Sequence, residues 1–139
     1  MLTKAAQYAI RSTLYLASKS DKENRINISQ IAEDLEVPAP FLAKLLQQLS
    51  RANLISSIKG PKGGFYFSDE NRENNLWDII KCIDGGHRFY SCFVGRPVCN
   101  DQNPCAFHEI ASEFREKVMS RFSDRTVNSK EEDFNPYLF

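Results

Sequence analysis

Small and apolar side chains recur at Ala5, Ala6, Ala9, Ile10, Thr13, Leu14 and Ala17 with nothing to break the run, and that spacing predicts a first helix from Thr3 to about Lys19. A polar turn, Asp21 to Arg25, ends the pattern. Residues Ile28 to Leu35 then read as a second, short helix, Glu36-Val37-Pro38 as a tight turn, and Ala39 to Ala52 as a third helix. Two short helices joined in this way form a helix-turn-helix. The third helix divides into two faces. Leu42, Leu45, Leu46 and Leu49 form a packing stripe, while Ala39, Pro40, Ala43, Lys44, Gln47 and Arg51 are left for the outer side.

The periodicity then shortens. Leu54 to Ile58 and Phe65 to Phe67 read as two strands joined by the basic, glycine-rich tip Lys59-Gly60-Pro61-Lys62-Gly63-Gly64. Directly after a helix-turn-helix, such a hairpin is a wing. A nucleotide-binding P-loop is excluded, because neither its sequence nor its strand-to-helix context is present. Leu76 to Ile83 forms a short amphipathic helix in which Cys82 reads as a buried thiol. The longest helix is expected over residues 105 to 122, with Phe107, Ile110, Ala111, Phe114, Val118 and Phe122 on one stripe. That stripe exceeds what a small winged-helix core can cover, so it predicts pairing with the same helix of a second subunit; folding back on its own domain is the rival reading. A tail follows, with the acidic run Glu131-Glu132-Asp133 and the apolar end Pro136-Tyr137-Leu138-Phe139. The expected fold is therefore mainly α with a small β-hairpin wing. Its regions are a winged helix-turn-helix over 1–84, a loop over 85–104, and a dimerisation helix with a tail over 105–139.

Composition narrows the function. The 139 residues make one domain, or two small lobes sharing a core, and no apolar run approaches transmembrane length. A net charge of zero conceals an asymmetry: residues 1–67 hold nine Lys/Arg against five Asp/Glu (+4), and residues 68–139 hold nine against thirteen (−4). A basic first half is suited to a polyanion. Gln47 can bond two edges of an adenine, Lys44 or Arg51 can reach guanine or phosphate, and the wing lysines Lys59 and Lys62 with the backbone of Gly60, Pro61, Gly63 and Gly64 suit phosphate or the minor groove. Double-stranded DNA is the expected partner. No nucleophile and base pair marks an enzyme.

Cys92, Cys99, Cys105 and His108 fall within 17 residues. Gly95 and Pro97 make the first gap a turn-rich loop. Asn103-Pro104 reads as a helix cap followed by proline at the first helical position, which predicts Cys105 in a first helical turn, where the dipole favours thiolate, and His108 three residues on over the same face. The opening MLTKAAQY lacks an apolar signal-peptide core, so the chain reads as cytoplasmic and disulfides are not expected. Three thiolates and a histidine also suit zinc, although the gaps of six and five residues exceed the usual two or four. Spacing does not separate zinc from an iron-sulfur cluster. His87, in the Gly85-Gly86-His87 turn, reads as a solvated loop residue, with replacement of His108 as ligand the minor alternative.

Three features carry a resemblance: the opening Lys4-Ala5-Ala6-Gln7-Tyr8-Ala9, the run Leu54 to Phe65, and the cysteine triplet. From Leu2 to about Val127 the chain resembles the bacterial IscR/NsrR-type transcription regulators of the Rrf2 family. The resemblance implies a homodimeric winged-helix protein whose third helix and wing contact a palindromic operator and whose loop cysteines hold an iron-sulfur cluster that senses iron-sulfur status, redox state or nitric oxide. IscR-like members carry a [2Fe-2S] cluster and a histidine three residues after the last cysteine, where His108 stands. Some NsrR-like members hold a [4Fe-4S] cluster and recruit an acidic residue from the first helix; here no Asp or Glu precedes Asp21. Both points favour [2Fe-2S]. The chain departs from the pattern in a first cysteine gap one residue longer than the commonest, and in Ala43, which stands where a carboxylate is frequent.

Overall fold

The computed structural model describes residues 2–124, 126 and 127; the acidic run and apolar end of the tail lie outside them. Helix α1 (Lys4–Lys19) is capped by Thr3, whose side chain accepts the Ala6 amide, and α2 (Ile28–Leu35) by Asn27, which accepts from Gln30. Glu36 closes α2 in the left-handed region, and the chain turns through Pro38 into α3 (Ala39–Arg51). The wing strands are β1 (Ser56–Ile58) and β2 (Gly64–Tyr66), antiparallel with Ser57 opposite Phe65. A bridge from Ile26 to Phe65 extends the hairpin toward the start of α2.

The first strand is shorter than the sequence pattern predicts, and the second has the predicted length but lies one residue nearer the tip. Leu54, Ile55 and Phe67 are buried, but they serve as core plugs at the base of the wing rather than as ladder residues. Ser20 fixes that base, since its hydroxyl accepts the Phe67 amide and donates to the Leu16 carbonyl. A 3-10 turn at Glu70–Glu73 leads to α4 (Leu76–Asp84), which starts with a reciprocal capping box between Asn75 and Asp78. Helix α4 packs on α1 and α3, and Ile79 and Ile80 are buried among Leu16, Leu46 and Leu49 in one continuous core. At about 25 cal/mol per Å² of apolar surface, each such side chain stabilises the fold by roughly 1.5–3 kcal/mol.

Beyond α4, a short helix α5 (Gly86–Phe89) occupies the place expected for a bare turn. Phe89 anchors it edge-on to Trp77, ring centroids 5.2 Å apart. The last helix, α6, runs from His108 to Asp124. Its inner half packs back on α4, with Val118, Met119 and Phe122 half-buried against the core, while Phe107, Ile110 and Phe114 at the other end are 52, 67 and 46% exposed. The fold-back reading thus holds for the inner part of the stripe, and the outer part is left exposed. Val127 then returns to the core, 2% exposed, its amide bonded to the Asn74 carbonyl.

Candidate metal centre and nucleic-acid interface

The segment between α5 and α6 brings distant thiols together. Cys92, Cys99 and Cys105 Sγ all lie within 4.8 Å of one another, each side chain half-buried. Cys92 and Cys105 sulfurs are 3.8 Å apart, and His108 Nδ1 lies 3.2 Å from Cys99 Sγ. Three thiols and an imidazole are a donor set that both iron-sulfur clusters and zinc accept. The convergence is built by two turns. Gly95 sits at φ 78° and donates its amide to the Cys92 carbonyl, a left-handed position that favours glycine. Asn100 and Asn103 pair across a second turn, in which the Asn100 side chain accepts the Gln102 and Asn103 amides at 3.1 and 2.9 Å. Arg96 braces the two by donating to the Pro104 carbonyl and to Asn103 Oδ1, both at 3.0 Å.

One expectation is corrected. Cys105 does not lie in a helix: Asn103 pairs with Asn100 instead of capping, Cys105 to Phe107 form a turn, and α6 begins at His108 itself. Cys105 thus precedes α6 by three residues, its carbonyl accepting the His108 amide. The thiol that is made acidic is Cys92. Desolvation pushes it up, but the backbone amides of Arg96 and Val94 together with the neighbouring thiols outweigh this and bring it down to about 7. Cys99 is held above the usual thiol value: a backbone hydrogen bond from Cys105 lowers it, and desolvation with the charge and hydrogen bonding of Cys92 and Cys105 outweighs that. Cys92 is thus better prepared than Cys99 to bind as thiolate. Away from the group, Cys82 is raised by burial and lies against the Gln48 carbonyl, and His87 is exposed on α5.

Two participants escaped sequence reasoning. Asp101 Oδ1 lies 3.0 Å from His108 Nε2, and Arg96 closes the loop as described. An Asn-x-x-Asn turn signal was present at Asn100 to Asn103, but which charged neighbours meet His108 and the turn depends on the folded loop.

Away from the thiol group in sequence, Pro40, Lys44, Gln47 and Arg51 are exposed along α3, with Ala39 and Ala43 half-buried beside them. Lys59, Gly60, Pro61 and Lys62 are exposed at the wing tip, and Gly63 and Gly64 are half-buried. Gly63 is required there by space, because a Cβ would stand 2.1 Å from the Ile58 carbonyl oxygen. Arg25 supports the tip by donating to the Lys62 and Lys22 carbonyls. Helix α3 is also tied to the core behind it: Gln48 Nε2 donates to the Cys82 carbonyl of α4 at 2.7 Å.

An apolar groove of about 790 Å³ runs beside the thiol group, lined by Leu2, Phe93, Phe107, Ile110 and Phe114 with Arg88 at its edge. Among the described residues, no helix is long and apolar enough to cross a membrane.

Comparison with known proteins gives the family and the fold. Residues 2–129 match the Rrf2 family, described as an iron-dependent transcriptional regulator. A protein of Aquifex aeolicus named as an HTH-type transcriptional regulator is 29% identical over 129 residues, 91% of this chain and 88% of its own length. The HTH-type transcriptional regulator IscR of Vibrio atlanticus is 25% identical over 132 residues, covering 95% of this chain and 75% of its own. The solved structure of CymR, the global cysteine regulator of B. subtilis, superposes with a TM-score of 0.74 at 22% identity over 97% of this chain and 98% of that one, and so shares the fold.

Proposed function

The chain belongs to the Rrf2 family of transcriptional regulators, and from that premise we propose that it is a cytoplasmic, homodimeric DNA-binding regulator that senses through a [2Fe-2S] cluster held by Cys92, Cys99, Cys105 and His108. The observation that carries this reading is the convergence of the three sulfurs within 4.8 Å, with an imidazole nitrogen 3.2 Å from one of them. The absence of any Asp or Glu before Asp21 favours the histidine-ligated over the carboxylate-ligated type. DNA is read by the outer face of α3, through Ala39, Pro40, Ala43, Lys44, Gln47 and Arg51, and by the wing residues 59–64. The exposed outer half of α6 and the groove beside it take the same surfaces of a second copy, which sets two reading heads on a palindromic operator.

The residues of the chain suggest how ligation reaches the DNA. Cys92 follows α5, Cys99 lies mid-loop, and Cys105 and His108 sit where α6 begins. Holding the four side chains together fixes the distance between the end of α5 and the start of α6. Helix α5 is seated on α4 through Phe89 and Trp77, and α4 holds α3 through the Gln48 bond to the Cys82 carbonyl. When bound, an iron-sulfur cluster supplies electron transfer at a potential set by its ligands, and histidine raises that potential relative to an all-thiolate site. Loss of any ligand frees the loop ends and shifts the population of head-to-head geometries, provided one geometry binds DNA better.

Anaerobic purification followed by absorption spectroscopy and iron, sulfide and zinc analysis tests the reading. A coloured protein with about two iron and two acid-labile sulfide per chain is expected, and His108→Ala changes its spectrum. About four of each replaces [2Fe-2S] with [4Fe-4S]. Colourless protein with stoichiometric zinc sinks the sensing function.

A further inference from the structure

We propose that Asp101 is the positioning residue for the histidine ligand: it holds the His108 Nε2 proton outward, so that Nδ1, not Nε2, binds the cluster. The inference rests on the cluster reading above and adds to it the ligand atom and the group that selects it.

A neutral imidazole carries one ring proton, and only the other nitrogen offers a lone pair to a metal. In His108 the two nitrogens face different chemistry. Nδ1 lies 3.2 Å from Cys99 Sγ, one of the three thiols, and Nε2 lies 3.0 Å from Asp101 Oδ1. An ionised carboxylate accepts hydrogen bonds and has none to give, so this contact requires the proton on Nε2 and leaves the Nδ1 lone pair of a neutral ring on the side of Cys99 Sγ. The His108 side chain is 13% exposed, whereas Asp101 is 99% exposed.

That exposure separates direction from strength. A contact to a fully exposed carboxylate contributes little to stability, so Asp101 does not hold the loop together. Its contribution is to fix the tautomer and ring orientation of a ligand, the role that outer carboxylates play for metal-bound histidines, where removal typically costs 10–100-fold in affinity or activity. The carboxylate is itself placed by the turn beneath it. Asn100 accepts the two amides that follow Asp101, and Arg96 clamps Asn103 and Pro104 on the far side. Asp101 is thus presented from a braced turn to an imidazole at the first residue of α6.

The test uses full-length protein grown with histidine labelled with nitrogen-15 at Nδ1 or at Nε2, isolated anaerobically and reduced, and read by pulsed electron paramagnetic resonance. Ligand-strength coupling is expected from the Nδ1 label in the wild type and in Asp101→Asn, which keeps an acceptor. In Asp101→Ala the coupling should spread to the Nε2 label or weaken, and iron release to a chelator should quicken by about tenfold. His108→Ala should abolish the coupling, and His87→Ala should leave it. Coupling from the Nε2 label in the wild type overturns the proposal while the cluster stands. So does an Asp101→Ala protein that matches the wild type in both labels and in iron release. A colourless wild-type protein fails the cluster reading and this one together.

Discussion

Replacing Lys59 and Lys62 together with alanine isolates the electrostatic part of DNA binding at the wing. Both side chains are exposed at the hairpin tip, and neither takes part in an ion pair among the described residues. The change therefore strands no opposite charge and leaves the core untouched. A lysine that neutralises one phosphate contributes about 0.9 to the slope of log affinity against log salt, so two lysines contribute about 1.8 per wing and about 3.6 for the two wings of a dimer. Between roughly 50 and 200 mM salt, a fourfold rise, a slope of 3.6 corresponds to about 150-fold in affinity that the wild type loses and the variant does not. Fluorescence anisotropy with a mixed-sequence duplex reads this without knowledge of the operator, because non-specific binding is carried almost entirely by phosphate contacts. The folded state is checked by the urea midpoint, which should be unchanged. An unaltered salt slope would remove the wing from the interface and leave α3 as the sole contact.

Ile110→Glu sets a charge in the exposed part of α6, where the native side chain is 67% exposed; sedimentation should show the dimer weakened at least about tenfold, or 1.4 kcal/mol, with an unchanged urea midpoint, and a dimer of full strength would exclude this face. Asp78 supplies a pH signature. Burial pushes its carboxyl up, but hydrogen bonds from the Asn75 amide and Lys81 outweigh that and hold it below the usual aspartate value. A depressed carboxylate stabilises the fold above its unfolded pKa of about 3.9, and that stability is lost as pH falls through the folded value. Asp78→Asn should therefore cost about 0.3–1 kcal/mol at pH 7 and show a smaller fall in urea midpoint between pH 6 and pH 3; an identical fall in both proteins rejects the assignment.

Helix periodicity made the core legible. The Leu42, Leu45, Leu46 and Leu49 stripe and the span of α2 follow directly from where apolar residues recur, and all four leucines are buried. The wing was legible in kind but not in extent, because Leu54, Ile55 and Phe67 look like strand residues to a pattern that records only hydrophobicity, whereas three-dimensional packing uses them as plugs. At Asn103-Pro104 the local cap signal lost to a turn that satisfies Asn103 through Asn100 and Arg96. The convergence of the thiols was legible in spacing. Which of them is acidic was not, since that depends on the Arg96 and Val94 amides, which every residue but proline can supply.

Helix α6 is gripped at one end and loose at the other, and this gives it the mechanics of a lever. Val118, Met119 and Phe122 fix it to the core, and Val127 pins the chain beyond. His108 stands ten residues before Val118, about 15 Å along the axis at 1.5 Å per residue. Over that arm, a displacement of about 1 Å at the imidazole is a rotation of about 4°. The faces of Ile110 and Phe114 ride on the same arm, so in the proposed cluster-bound dimer a change of bond length at one ring nitrogen would be geared into a change of angle between two subunits.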